Sequence, residues 1–172
     1  MPASGTSISF EAFKGCNKVI IEYENCKYLS SANNPYYALI EVVNKNYSTY
    51  TIHSDTVVIA YRAFYGCSRM ANIVIPESVT TIGEYAFSYC DSLTSVVIGD
   101  SVTTIGEGAF YESYSLTKVY YKGTAEDWAK IVIASYGNSS LTSSTKRYYS
   151  ESEPTTTGNY WHYDEEGNPV AW

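Results

Sequence analysis

Residues 59–83 read IAYRAFYGCSRMANIVIPESVTTIG, and residues 82–106 read IGEYAFSYCDSLTSVVIGDSVTTIG. The two stretches are copies of one another, and Ile59, Ile82 and Ile105 follow at a constant interval of 23 residues. A third copy begins at Ile105 and continues to about residue 121. A unit of this length cannot bury its own apolar side chains, so we expect the copies to stack as the coils of a solenoid.

Each copy contains a short strand and an aromatic core position. In the second copy the alternation of Val96 and Ile98 predicts a strand with one buried face. Ile82 and Ile105 turn the chain back toward the core, and Gly83 and Gly106 mark the corner. Ala-Phe pairs recur once in each copy. We expect their rings to stack in a column, called here the phenylalanine spine: Phe64, Phe87 and Phe110.

The pattern AF-x-x-C-x-x-L-x-x-V-x-I-P-x-SVT-x-IG resembles the leucine-rich repeat of the BspA-like type. It covers residues 59 to about 121 and the AFKGC stretch near the start, and residues 120–172 resemble the C-terminal segment of many such bacterial proteins. The resemblance implies an α/β fold: a right-handed leucine-rich repeat solenoid with a parallel concave β-sheet, a short irregular or helical convex side, and a C-terminal helix plus β-hairpin cap. Members of the family are mostly secreted or attached to the cell surface and act in adhesion and protein binding.

The repeat pattern divides the chain into four segments. Residues 1–25 hold a partial N-terminal repeat with Ala12, Phe13 and Cys16, and residues 54–121 hold the repeats of period 23. Residues 26–53 form an irregular insertion, in which YYALIEVV and YSTYTI flank a polar stretch at 44–46. This predicts a hairpin whose second strand, ending at Ile52, joins the parallel sheet one period before Ile75.

Residues 122–172 form the predicted cap. Thr124 and Asp127 have the spacing of a capping box, which predicts an amphipathic helix from Ala125 to about Ile133. Strands are predicted at residues 146–149, 159–163 and 170–172, with a turn at 164–169.

Composition excludes some classes of partner. The formal net charge of −7 argues against nucleic acid, because phosphate binding needs a basic surface. No apolar run is long enough for a membrane-spanning helix, and residues 1–10 do not have the features of a signal peptide. Because the chain opens within a repeat, we expect it to be a piece of a longer protein. The 19 tyrosines suit either solenoid walls or exposed contact surfaces.

The cysteines follow the repeat. Cys16, Cys67 and Cys90 share one repeat position, which Ser113 takes in the third copy. Neighbouring coils lie within disulfide reach, but stacked side chains point in parallel, so buried reduced thiols are the favoured interpretation. Cys26 lies in the insertion and is the candidate for an exposed thiol.

Enzyme motifs are absent from the sequence: there is no GxSxG, HExxH, Walker loop, paired CxxC or dinucleotide-binding glycine pattern. The two histidines, His53 and His162, lack partners at metal-ligand spacing, and residues 164–166 lack the spaced oxygen ligands of a calcium loop. We therefore expect no enzymatic activity, no cofactor and no metal.

Two surfaces are candidate binding sites for a protein or a surface glycan. Strand alternation places one set of residues on the concave face: Thr51, His53, Asn72, Val74, Ser95, Val97, Lys118, Tyr120 and Lys122. The same valines could equally serve strand propensity alone. The alternative is a cell-wall carbohydrate-binding module that uses the aromatic C-terminal hairpin, with the repeats as a spacer: Tyr160, Trp161, Tyr163 and Trp172.

Overall fold

A computed structural model describes residues 19–172. The predicted partial repeat with Ala12, Phe13 and Cys16 lies outside the described residues. The elements are β1 (Ile20–Tyr23), β2 (Cys26–Leu29), β3 (Ala38–Val42), β4 (Val58–Ile59), β5 (Asn72–Ile75), β6 (Thr81–Ile82), β7 (Ser95–Ile98), β8 (Thr104–Ile105), β9 (Lys118–Tyr121), α1 (Ala125–Trp128), β10 (Val132–Ile133), α2 (Ser139–Ser143), β11 (Thr145–Tyr149), β12 (Tyr160–Tyr163) and β13 (Pro169–Ala171).

The longer repeated strands form a six-stranded sheet in the order β13-β12-β11-β9-β7-β5. All its pairs are parallel except β12 with β13. The register is the sequence period itself, because Ile73 pairs with Val96 and Val96 with Val119. The predicted parallel sheet of a β-solenoid is therefore confirmed.

A second sheet runs along another side of the coils. It has seven strands in the order β1-β2-β3-β4-β6-β8-β10, of which the first three are antiparallel and the rest are parallel. Its repeated members are two residues long and end at Ile59, Ile82 and Ile105. At the corner that follows, a Cβ on Gly83 would lie 2.8 Å from the carbonyl oxygen of Ile59, so neighbouring coils approach too closely there for a side chain.

The phenylalanine spine is confirmed. The rings of Phe64 and Phe87 are stacked with centroids 4.9 Å apart, and those of Phe87 and Phe110 with centroids 5.2 Å apart. All three side chains are fully buried. The spine therefore joins three successive coils through continuous aromatic contact.

The cysteine column is also present, with one correction. Cys67 and Cys90 are buried and free, and the Cys90 thiol donates to the carbonyl of Phe64 over 3.4 Å. One coil on, the hydroxyl of Ser113 donates to the carbonyl of Phe87 over 2.7 Å. The predicted exposure of Cys26 is wrong, because β2 directs this side chain into the core, where it is free and fully buried.

The predicted hairpin around residues 44–46 is wrong. The antiparallel turn lies earlier, between β1 and β2, where Glu24 and Asn25 have φ values of 45° and 68°. Asn25 clamps the later polar stretch instead, since its Oδ1 accepts from the backbone N–H of Asn44 and its Nδ2 donates to the Asn44 carbonyl. The stretch ending at Ile52 is not a strand, although the Ser48 carbonyl accepts from the N–H of Ala71, one period later.

The helix at residues 125–133 is shorter than predicted. Thr124 caps α1, accepting from the backbone N–H of Asp127 over 3.1 Å, but α1 ends at Trp128. Val132 and Ile133 form β10 instead, paired with β8. The edge strand β8 offers backbone hydrogen-bonding groups to these two β-branched residues. If the helix continued through Val132 and Ile133, those groups of β8 would have no partner.

We expect Cys26, Cys67 and Cys90 to react with a thiol reagent at pH 8 only after unfolding. Burial raises the pKa of Cys26 from 9.0 to about 12 and also raises the pKa of Cys67 and of Cys90. Because the folded state holds these protons more tightly, their contribution to stability is complete below pH 9 and is lost as pH rises toward about 12. Reagent labelling followed by mass spectrometry tests this. Rapid labelling of Cys26, or a Cys67–Cys90 disulfide, would contradict it.

We expect Phe87→Ala to lower the free energy of unfolding by about 3–5 kcal/mol, because it opens a cavity between two stacked rings. Tyr114→Ala is the matched control, since this ring is 74% exposed and its loss should cost less than about 0.5 kcal/mol. Urea unfolding measures both changes. Equal midpoints for the two variants would show that the spine does not stabilise the stack.

Candidate functional site

The outer face of the six-stranded sheet is only partly open. Asn72 and Lys118 are exposed, Val74 is 47% exposed, and Ser95 is partly exposed, as alternation predicts. Val97 and Tyr120 are buried, at 3% and 6% exposure. The prediction of an open central row is therefore wrong for Val97 and Tyr120.

The C-terminal hairpin of β12 and β13, which continues this sheet beyond β11, causes the burial by packing Trp161 on Val97 and Tyr120. Trp161 on β12 is fully buried, and its ring centroid lies 5.4 Å from that of Tyr120. Its indole N–H donates to the carbonyl of Tyr121 over 2.9 Å. Tyr163 packs on the indole edge-on at 4.9 Å. The hairpin and the sheet thus share one small apolar core.

Beside this core a groove of about 560 Å³ remains open. Its floor is the sheet and its wall is the turn of the hairpin. The lining residues are Asn72, Ile73, Val74, Thr94, Ser95, Val97, Thr117, Lys118, Tyr120, Gly167, Asn168 and Pro169. These side chains include hydroxyls, two amides, one cation and apolar surface, and no carboxylate.

The acidic turn supports the wall of the groove. One oxygen of Asp164 accepts from the backbone N–H groups of Asn168 and Glu166, over 2.7 and 3.1 Å. The hydrogen bond from the Asn168 N–H is the main cause that lowers the pKa of Asp164 below its usual value. The charged carboxylate is thus used to fix the turn conformation that places residues 167–169 against the sheet.

Lys122, Thr51 and His53 do not line the groove. Lys122 donates to Glu77 over 2.6 Å and lies 5.2 Å from the ring centroid of Tyr163. Burial has the largest single effect on the pKa of Lys122 and lowers it, but hydrogen bonding and charge from Glu77 and Tyr163 together outweigh burial, so the pKa is raised. His53 stacks on Tyr36 with centroids 3.6 Å apart. Because residues 47–52 are not a strand, the row of the sheet ends at β5 rather than at Thr51.

The aromatic residues of the hairpin are also mostly engaged. Trp161 and Tyr163 face the sheet, whereas Trp172 is 43% exposed. Trp172 stacks on His162 at 3.8 Å, and its indole donates to the carbonyl of Ser150. A hollow of about 360 Å³ lies beside it, lined by residues 153–158 together with Tyr160 and Trp172. Of the predicted aromatic site, Tyr160 and Trp172 line this hollow, whereas Trp161 and Tyr163 do not.

The groove also uses residues that the sequence analysis missed. Thr94 and Thr117 share one repeat position directly before the long strand, so the 23-residue period could have identified them. Asn168 and Pro169 come from the hairpin turn, and no local pattern predicts that this turn reaches the sheet.

Within residues 19–172, no group of three or more histidine, cysteine, aspartate or glutamate side chains could hold a metal ion. Neither helix in residues 19–172 is long and apolar enough to cross a membrane.

The repeat pattern decides the family. The model of the BspA type leucine rich repeat region (6 copies) matches residues 1–116 and 42–146. The chain belongs to this family. None of the curated proteins is significantly similar to it.

Solved structures of bacterial leucine-rich repeat proteins are similar to this BspA-type chain. A leucine rich cell surface protein from Faecalibacterium prausnitzii is 22% identical, with a TM-score of 0.46 over 66% of this chain and 42% of that one. The pneumococcal vaccine antigen PcpA is 13% identical, with a TM-score of 0.49 over 81% and 38%. The T. pallidum leucine rich repeat protein is 24% identical, with a TM-score of 0.38 over 48% and 51%. The chain thus spans about half or less of each of these structures.

We expect Trp161→Ala to destabilise the hairpin and the sheet together, by about 3–5 kcal/mol, because it removes a fully buried indole and leaves the Tyr121 carbonyl without its partner. Trp172→Ala removes the same side chain from an exposed position and should cost about 1 kcal/mol or less. Urea unfolding, with amide exchange of β12 and β13, distinguishes the two. Equal losses would show that Trp161 does not hold the hairpin on the sheet.

Proposed function

We propose that this chain is a non-enzymatic repeat domain that binds a protein or a glycan at a bacterial cell surface, in adhesion, and that the partner docks in the groove between the six-stranded sheet and the hairpin turn. The observation that carries the proposal is the groove itself, with Val74 open on its floor and the hairpin turn as its wall. Its family supports a secreted or surface location.

The chemistry of the lining suits a partner rich in hydrogen-bonding groups. Amides and hydroxyls can bind either a peptide backbone or sugar hydroxyls, and the exposed Val74 offers apolar contact. Lys118 is the one cation of the lining, and in the described part of the chain it forms no salt bridge. A negatively charged group on the partner would therefore find a free positive charge there.

The alternative function is a cell-wall carbohydrate-binding module that uses the C-terminal hairpin. Its supporting observation is the hollow beside Trp172 and Tyr160, because half-exposed aromatic rings suit stacking on sugars. In this alternative the repeats act as a spacer, and the groove residues have no role in binding.

We expect Val74→Glu to weaken binding at least about tenfold, because it places a charge on the apolar floor and opposes an anionic partner. Val132→Glu makes the same change on the seven-stranded sheet, where Val132 is 67% exposed, and should leave affinity unchanged. Surface plasmon resonance against purified extracellular matrix proteins, together with a glycan array, identifies and measures the partner.

Trp172→Ala tests the alternative in the same assay. Loss of binding in Trp172→Ala with full binding in Val74→Glu would assign the partner to the aromatic hairpin. Equal affinities for Val74→Glu and Val132→Glu, with the fold intact by circular dichroism, would reject the groove.

A further inference from the structure

A third side of the coils carries a cluster of tyrosines, called here the tyrosine surface. Each member lies in the turn that follows a two-residue strand of the seven-stranded sheet. Neighbouring rings lie with centroids from 5.3 Å (Tyr65 to Tyr89) to 6.5 Å (Tyr85 to Tyr111) apart. The members are Tyr61, Tyr65, Tyr85, Tyr89, Tyr111 and Tyr136. None lines the groove or the hollow at Trp172.

The backbone holds these rings at fixed spacing. The N–H of Tyr85 donates to the carbonyl of Glu107, the N–H of Tyr89 to that of Tyr111, and the N–H of Gly108 to that of Tyr136. Each bond joins one coil to the next, so the backbone that carries the rings is preorganised before a partner binds.

Two of the tyrosines occupy positions that favour glycine. Tyr85 and Tyr89 have φ values of 54° and 57°, in the left-handed region that bulky residues rarely adopt. One copy on, the position of Tyr85 is Gly108, and one copy back, the position of Tyr89 is Gly66. The left-handed turn itself belongs to the repeat, because Arg62 and Glu112 adopt it at the same two positions with φ values of 57° and 58°. The turn therefore presents whichever side chain stands there, and at Tyr85 and Tyr89 this is an aromatic ring.

One half of the surface already binds cations of the chain itself. The guanidinium of Arg62 lies 5.0 Å from the ring centroid of Tyr61, 4.8 Å from that of Tyr65 and 5.8 Å from that of Tyr85. The ammonium of Lys45 lies 5.7 Å from the Tyr65 centroid. This half shows that the ring arrangement accepts an arginine side chain.

The other half has no such cation. Among the described residues, no lysine or arginine lies over Tyr89, Tyr111 or Tyr136. Tyr89 is 37% and Tyr136 is 56% exposed. Two carboxylates, of Glu107 and Glu112, lie in the same turns. Hydrogen bonding to Glu112 raises the pKa of Tyr111 to about 12. Neither Glu107 nor Glu112 forms a salt bridge within residues 19–172.

We propose that this open half, formed by Tyr89, Tyr111 and Tyr136 with Glu107 and Glu112, is a second binding surface, separate from the groove, for an arginine-rich segment of a partner protein. The arginines occupy ring faces as Arg62 does one coil earlier, and the carboxylates supply the opposite charge. A sugar fits less well on Tyr89 and Tyr111, because their rings meet at 75° and offer no continuous flat face for a pyranose. The rings of Tyr111 and Tyr136 are nearly parallel, at 11°, so a sugar oligomer is included in the test below.

The experiment measures binding of a fluorescent eight-residue peptide of alternating arginine and glycine by anisotropy at about 0.15 M salt, where exposed charges are screened beyond ~8 Å. The double variant Tyr89→Gly and Tyr111→Ser is matched to the chain, because Gly66 and Ser88 occupy these positions one copy earlier. We expect it to bind about 5- to 30-fold more weakly through the loss of two cation–π contacts. Tyr47→Ser removes an exposed ring elsewhere and should not change the affinity.

A second pair of variants tests the ring faces directly. Arg62→Ala uncovers Tyr61 and Tyr85, while Lys45 stays over Tyr65. Arg69→Ala removes the same charge from an exposed position that does not lie over any ring of the tyrosine surface. We expect Arg62→Ala to bind the peptide severalfold more tightly than Arg69→Ala does.

Three results would overturn the proposal: unchanged affinity in the folded double tyrosine variant, equal affinity in the two arginine variants, or binding of an uncharged N-acetylglucosamine hexamer at these tyrosines in place of the peptide. Val74→Glu and Trp172→Ala alter neither the rings nor the carboxylates of this surface. The outcome for the groove and the outcome for the tyrosine surface are therefore separable.

Discussion

Neighbouring coils of this solenoid are joined by backbone hydrogen bonds, and the rest of the structure depends on this constraint. The dependence includes the turns as well as the sheets: the N–H of Phe64 donates to the carbonyl of Ala86, and that of Phe87 to the carbonyl of Ala109. A buried N–H without a partner is costly, so a shift in register would leave several unpaired at once. The 23-residue interval therefore fixes the phenylalanine spine and the cysteine column together.

Where the repeats stop, the last coil has no following coil to accept its backbone N–H groups. The side chain of Asn138 supplies one of the missing acceptors. In the last coil the N–H of Phe110 has no following Ala-Phe turn, and it donates to the side-chain oxygen of Asn138 over 3.2 Å. The amide nitrogen of Asn138 donates in turn to the carbonyls of Gly106 and Ala134, each over 2.9 Å. Asn138 is only 1% exposed, so its side-chain amide must find its hydrogen-bond partners within the protein. Its three bonds take the place of backbone groups that a further coil would supply.

The sequence predicts what the period controls and fails where contacts join segments that share no period. The strands at Ile73 and Val96 and the spine follow from equal spacing, because identical units stack in one register. The position of Trp161 does not follow from the period. Its indole donates to the carbonyl of Tyr121, 40 residues earlier, and only the folded hairpin brings the two groups together. The prediction for the insertion fails for a related reason. The left-handed conformation at Glu24 and Asn25 places the antiparallel turn there. The later polar stretch is held by the Asn25 side chain and forms no hairpin turn of its own.

The contrast between core and surface positions explains where partners can act. The spine keeps phenylalanine in all three copies, at Phe64, Phe87 and Phe110, because each buried ring stacks on the next. Other inward positions change residue type but stay buried, as Cys90 and Ser113 do. Outward positions carry no such restraint, and the position of Arg62 becomes Tyr85 and then Gly108 in the following copies. A strictly periodic surface would offer every coil equally to a partner. Two departures from the period limit this: the hairpin packs Trp161 on the outer face of the sheet, and Arg62 covers part of the tyrosine surface. Each face is therefore open only in part, and the repeated scaffold presents surfaces that differ from coil to coil.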